Sequence, residues 1–175
     1  MKNENLLNLY PELTAHPAKP AYNLRKELQT AFPSVKFSVR YKSFSGGDEI
    51  TVSYEDGPTV EEVETVATKY AYDSSQCDVM TDYYDFQPTE FIRTFGGAKF
   101  VMVRRDMSEQ VHHKLRKKVK EIAPDLADDR NVNRDELFKP GETCASIELF
   151  EATRGMSWIS VDSIVRKLFD KMSLE

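Results

Sequence analysis

The alternation of apolar and polar positions is sharpest between Val35 and Tyr54. Phe37, Val39 and Tyr41 alternate with Lys36, Ser38, Arg40 and Lys42, while Ile50, Val52 and Tyr54 alternate with Thr51, Ser53 and Glu55. A period of two residues predicts a pair of strands, each with one buried face. Ser45, Gly46, Gly47 and Asp48 between them supply the positive-φ and side-chain-to-backbone chemistry of a tight reversal, so the stretch reads as a β-hairpin. Folding about this turn brings Lys42 towards Glu49 and Lys36 towards Glu55 on the polar face, as opposite-charge cross-strand pairs.

Helical spacing brackets the hairpin. Leu24, Leu28 and Phe32 recur every fourth residue and predict a helix from Pro20 or Ala21 to Phe32, stopped by Pro33. After the turn Asp56-Gly57-Pro58, Thr59 and Glu62 form a capping box for a second helix, whose apolar stripe is Val60, Val63, Val66, Ala67 and Tyr70. Gly96-Gly97 opens a third strand, Ala98 to Arg104, and reads either as a plain turn or as an anion nest. That strand is apolar on both faces, which predicts cover on both sides or a central place in its sheet. Ser108 caps a third helix that runs to about Ile122 along the stripe Val111, Leu115, Val119 and Ile122.

The ends are less regular. Prolines interrupt Met1 to Lys19, which reads as a flexible arm. Beyond Pro124, Arg134 to Phe138 reads as a short helix, and Thr143 to Ala152 as strand or helix. Trp158 is expected to anchor a last helix that starts at Ser157 or Ser160. The expected fold is α+β: an antiparallel sheet of three or more strands in helix-hairpin-helix-strand order, with helices on one face and a helical C-terminal appendage. The expected division is an arm at 1–19, a core domain at 20–123 and an appendage at 124–175 that packs on the core or serves dimerisation.

Charge changes this picture more than composition does. A hydrophobic fraction of 40% supports a core. Residues 48–92 hold one lysine against twelve Asp and Glu, net −11, and residues 93–120 hold nine Lys and Arg against two acids, net +7. Such segregation points to macromolecular contacts or self-pairing, unless the blocks neutralise each other in the fold. No apolar run has the length of a membrane span, and the N-terminus lacks a signal-peptide layout, so the expected place is the cytoplasm of whatever cell expresses the chain. Cys77 and Cys144 have no metal spacing.

Two candidate binding surfaces emerge. The first is the acidic, aromatic stretch 73–88, in which Asp78, Asp82, Tyr83, Tyr84, Asp85 and Phe86 suit a docking loop for a protein partner. The second is cationic and nucleic-acid-directed. Lys36, Arg40 and Lys42 ridge the hairpin, and His113, Lys114, Arg116, Lys117, Lys118 and Lys120 crowd the helix 108–122 together with His112. Ordinary cross-strand pairing and a solvated amphipathic helix account for the same charges. No catalytic, metal or cofactor motif is present, and an enzyme site, if any, would lie near Ser45 to Asp48 and His112 or His113.

The stretches NLRKEL, FPSVKFSVR, SFSGGDEI, SYEDGPT and FGGAKFVMVRR, spread over about residues 16–107, resemble the large polyvalent protein associated domain, type twenty-nine. That family occurs in proteins of phages, prophages and conjugative elements. The resemblance implies a mobile-element origin and an accessory or counter-defence role against host machinery. The function expected is therefore macromolecular binding to a host protein, with nucleic-acid binding through the basic helix or a small motif-less enzyme as alternatives.

Overall fold

The computed structural model describes residues 2–72, 88–122, 126, 132–133 and 153–174. The acidic, aromatic stretch from Asp78 to Phe86, both cysteines and the elements expected at 134–138 and 143–152 lie outside the described residues. By contact the chain divides into two compact units, with the boundary between Asp106 and Met107. The helix expected at 108–122 lies in the second of them.

The first unit begins with α1 (Lys2–Leu9) and α2 (Pro20–Ala31). Proline at the first helical position of α2 fits because that N–H has no intrahelical partner to lose. The hairpin follows as β1 (Ser38–Phe44) and β2 (Gly47–Glu55), antiparallel, with Val39 opposite Val52, Arg40 opposite Thr51 and Lys42 opposite Glu49. The register is the one that the alternation of the sequence predicts. Helix α3 (Val60–Ala67) starts at Thr59, whose Oγ1 accepts from Glu62 N at 3.2 Å while Glu62 Oε2 accepts from Thr59 N at 2.7 Å. Helix α4 (Glu90–Phe95), capped by Thr89, was not anticipated. Its signal was there in the capping threonine and in Phe91, Ile92 and Phe95.

Strand β3 (Phe100–Asp106) completes a sheet of order β1-β2-β3. The fold is α+β, with the third strand departing from the antiparallel expectation: β3 runs parallel to β2, pairing Ile50 with Val101 and Val52 with Val103. The reason is the connection, which carries α3 and α4 and so returns the chain to the starting end of the sheet. Nor is β3 central. It is an edge strand whose second face carries exposed Phe100 and Met102.

Helices α2 and α3 touch each other, α2 packs on β1 and α3 on β3, so one face of the sheet is covered. Between them lie Leu24, Leu28, Val39, Ile50, Val52, Tyr54, Val63 and Ala67, all buried. The arm joins this core: Leu13 is buried, and the Tyr10 ring packs 5.2 Å from Phe91 and 5.9 Å from Phe95. Beneath it Glu27 is paired with Lys69 and accepts from the Tyr70 hydroxyl at 2.6 Å, tying α2 to the turn after α3. Burial satisfied by two donors is what lets a carboxylate sit there.

Phe37 is half-buried, its ring 5.1 Å from Tyr54 and 6.1 Å from Phe32. Phe37→Ala is expected to remove about 2 kcal/mol, below the ~3–5 kcal/mol of a fully buried ring, in urea denaturation. A loss under about 0.5 kcal/mol would put the ring in water and the hairpin on its other facing.

In the second unit α5 (Glu109–Ile122) packs against α6 (Val161–Lys171), and β4 (Val132–Asn133) pairs with β5 (Trp158–Ile159). Ser108 caps α5, accepting from Val111 N at 3.2 Å, and Ser160 caps α6 in a capping box with Ser163. The core is Leu115, Val119, Ile159, Val161, Ile164, Val165, Leu168 and Phe169. Trp158, expected as an anchor, is instead 60% exposed, and its neighbour Ile159 is the buried one. The two-residue strand turns alternate side chains to opposite sides, so only one of the pair can enter the core.

Candidate functional site: the open face of the sheet

Side chains alternate along each strand, so the register fixes what the uncovered face presents. Across the strands run Lys42, Glu49 and Phe100, then Arg40, Thr51 and Met102, then Ser38, Ser53 and Arg104. Phe44 closes the hairpin end and stacks on Phe100, with centroids 6.3 Å apart and planes 14° from parallel. Arg40, Lys42, Phe44, Phe100, Met102 and Arg104 are all exposed. Phe44, Phe100 and Met102 keep 40–43% of their surface in water, which is unusual for three large apolar residues on one face.

The hairpin tip is braced. Asp48 Oδ2 accepts from the Tyr41 hydroxyl at 2.9 Å, and its Oδ1 accepts from Lys99 N at 2.7 Å, joining β2 to the entry of β3. The Lys99 ammonium donates to Gly46 O at 3.2 Å and lies 5.4 Å from the Phe100 ring centroid. Asp48, near which an enzyme site was considered, thus has both oxygens engaged in holding the turn. At the other end buried Arg105 donates to Asp56 O at 3.0 Å and to Gly57 O at 2.7 Å, fixing the turn into α3.

Gly96-Gly97 serves packing. Gly96 has φ +85°, and a Cβ there would meet Pro17 O at 2.3 Å; a Cβ on Gly97 would meet Tyr70 O at 2.5 Å. Two of the N–H groups that an anion nest would use are already donating, Gly96 N to Ile92 O at 2.8 Å and Ala98 N to Tyr70 O at 2.9 Å. Four tyrosine hydroxyls are held in their protonated form. The hydrogen bond to Asp48 raises Tyr41, burial pushes Tyr54 up to about 12, and burial raises Tyr70 and Tyr72 as well. A raised folded pKa means that the folded state holds its proton longer, so stability is full below pH ~10 and falls as pH climbs through the folded values. Alkaline unfolding followed by circular dichroism is expected to begin only above about pH 10, together with phenolate absorbance. Unfolding that precedes phenolate formation would contradict this.

The cationic residues singled out in the sequence fall into two groups. Lys36, Arg40 and Lys42 are exposed in the first unit; Arg104, which the sequence reading did not single out, joins Arg40 and Lys42 on the open face. None of these four is ion-paired among the described residues. In the second unit His113, Lys114, Lys117 and Lys120 are exposed on α5, with His112, Arg116 and Lys118 half-buried. There Arg116 donates to Asp162 Oδ1 at 2.8 Å, His112 Nε2 lies 3.6 Å from the same oxygen, and Lys117 lies 3.9 Å from Glu121. His113, Arg116, Lys117, Lys120 and Glu121 line a cavity of about 410 Å³. The charge of this helix is thus partly spent on carboxylates of its own unit. Among the described residues no three His, Cys, Asp or Glu side chains converge as a metal site, and no helix is long and apolar enough to cross a membrane.

The first unit is thus a layered α+β domain with a braced hairpin and, among the described residues, helices on one face of its sheet. The family model for large polyvalent protein associated domain 29 matches residues 15–108, just over half the chain, and the protein belongs to that family. Membership marks it as phage-associated. No curated protein and no solved structure matches the chain.

Proposed function

We propose that this protein acts by binding, with the open face of its sheet as the contact surface for a macromolecule of the bacterial host. The biological role would be that of a mobile-element accessory protein working in the host cytoplasm against host machinery or defences. One observation carries this reading: Arg40, Lys42 and Arg104 stand exposed and, among the described residues, without ion-pair partners, on the same face as the exposed pair Phe44 and Phe100. Phe44 and Phe100, stacked on each other, leave 42% and 40% of their surface in water, and a partner that covers that apolar surface removes its cost. Helix α5 is the weaker surface, since Arg116 and Lys117 already face Asp162 and Glu121.

The test is capture from bacterial lysate with tagged wild type and with Arg40→Glu/Lys42→Glu/Arg104→Glu, each with and without nuclease. The reading expects one discrete species retained by the wild type and released by the variant, whose thermal unfolding stays within a few degrees of wild type. Equal retention by both proteins would refute the assignment of the face.

A further inference from the structure

We infer that the partner contributes an extended, acidic strand to the outer edge of β1, lengthening the sheet by one strand. The inference rests on the reading just given and names the kind of molecule that meets it: a protein, through a segment with carboxylates at alternate positions.

The backbone of β1 is open on one side. It is an edge strand, bonded to β2 alone. Residues of an antiparallel strand turn their N–H and C=O groups alternately to one neighbour and to the other. Arg25 marks which residues look outward, because its guanidinium donates from α2 to Val39 O at 2.6 Å. Tyr41 and Ser43 share that side by the period of two. Both are exposed, and among the described residues their outward N–H and C=O groups have no partner. Four backbone groups are therefore free for an added strand, while Arg25 closes the Val39 end. In strand addition such backbone pairing supplies affinity, and alternate side chains supply selectivity.

The side chains choose the occupant. Strand β1 reads SVRYKSF, without a carboxylate, and Arg40 and Lys42 both point to the open face. The carboxylates of that face, Glu49, Glu55 and Asp106, belong to β2 and β3. A strand added outside β1 lies about 4.8 Å from β1, about 9.6 Å from β2 and about 14 Å from β3, against a screening length of about 8 Å. Its near charges are thus Arg25, Arg40 and Lys42, all exposed and none ion-paired among the described residues. Antiparallel addition bonds Tyr41 and Ser43 and sets two alternate positions of the partner opposite Arg40 and Lys42, where Asp or Glu fits. A second copy of the chain does not fit. Two-fold pairing centred on Tyr41 sets Arg40 opposite Lys42 twice, and centring on either cation sets it opposite itself.

The experiment is fluorescence anisotropy with a labelled eight-residue peptide in which glutamate alternates with valine or threonine, against the same peptide with lysine for glutamate. Wild type is expected to bind the glutamate peptide at least about ten-fold more tightly, and Arg40→Glu/Lys42→Glu is expected to reverse the order. In the antiparallel register the valine and threonine N–H groups face β1 and the glutamate N–H groups face away. N-methylation of the first set should weaken binding by wild type at least about ten-fold, and of the second set by less than about two-fold. Ser43→Pro removes an outward N–H and no bond to β2, so it should weaken binding as well, with circular dichroism checking its fold. No saturable binding of the glutamate peptide up to about 1 mM would overturn the inference and leave Arg40 and Lys42 as guards against self-pairing. Equal binding of the lysine peptide, or indifference to which N–H groups are methylated, would overturn it too. Failure of the peptide while the charge-reversed variant still loses a discrete lysate species would overturn strand addition alone. Failure of the peptide with equal lysate retention by both proteins would overturn the contact surface as well.

Discussion

Asn23→Ala is expected to lower the unfolding free energy of the first unit by about 2–4 kcal/mol. Asn23 is fully buried on α2 and uses its whole amide: Oδ1 accepts from Thr14 N at 2.9 Å, and Nδ2 donates to Thr14 O at 2.9 Å and to Phe95 O at 2.8 Å. One side chain thus fastens the N-terminal arm and the end of α4 to α2. Alanine leaves a buried carbonyl at Phe95 without its donor, and unmet buried groups cost more than the net value of a bond. Asn23→Asp is a sharper probe. An ionised carboxylate would face both carbonyl oxygens, which raises its folded pKa; the protonated acid can still donate one bond. Its stability deficit is therefore smallest below the ordinary carboxylate pKa of ~3.9 and grows as pH rises through the folded value. Urea midpoints at acid and neutral pH measure it, and a deficit independent of pH would disprove this geometry.

Gly96→Ala is expected to be at least as damaging, with a loss of about 3 kcal/mol or more. Gly96 ends α4 with φ +85° and ψ 165°, a region open essentially to glycine alone. The added methyl would also stand 2.3 Å from Pro17 O, where backbone meets backbone and neither side can swing away. The segment from Leu13 to Pro17 must then lift off the corner between α4 and β3, taking the Thr14 bonds to Asn23 with it. Thermal unfolding and limited proteolysis of the arm report this together. A variant with wild-type stability and an equally protected arm would show that Pro17 does not pack there.

Much of the first unit could be read from its residues because the interactions that decide it are local. The two-residue period of Val39, Tyr41, Ile50 and Val52 and the Thr59–Glu62 box each define an element within a few positions of chain. What was not legible depends on distance. The direction of β3 is set by the long connection through α3 and α4, and the same seven residues could pair either way. The arm reads as loose because its prolines break local pattern, while Asn23, Phe91 and Gly96, which pack against it, are far along the chain.

The candidate site followed the same rule. Arg40 and Lys42 declared themselves on one strand, but Arg104 and Phe100 joined them only through the register of β3, and Phe44 only through its stacking on Phe100. The apolar run of β3 predicts cover on both sides or a central place in the sheet; β3 is instead at the edge, with Phe100 and Met102 exposed on one face.

The central claim is that the sheet face, and not helix α5, makes the functional contact. Charge reversal on each surface in turn tests it most directly: Arg40→Glu/Lys42→Glu/Arg104→Glu against Lys114→Glu/Lys117→Glu, both compared with wild type for retention of the lysate species at one salt concentration. The account predicts at least about ten-fold weaker retention for the sheet variant and a change within about two-fold for the helix variant. A loss confined to the helix variant would contradict it and move the contact to the second unit.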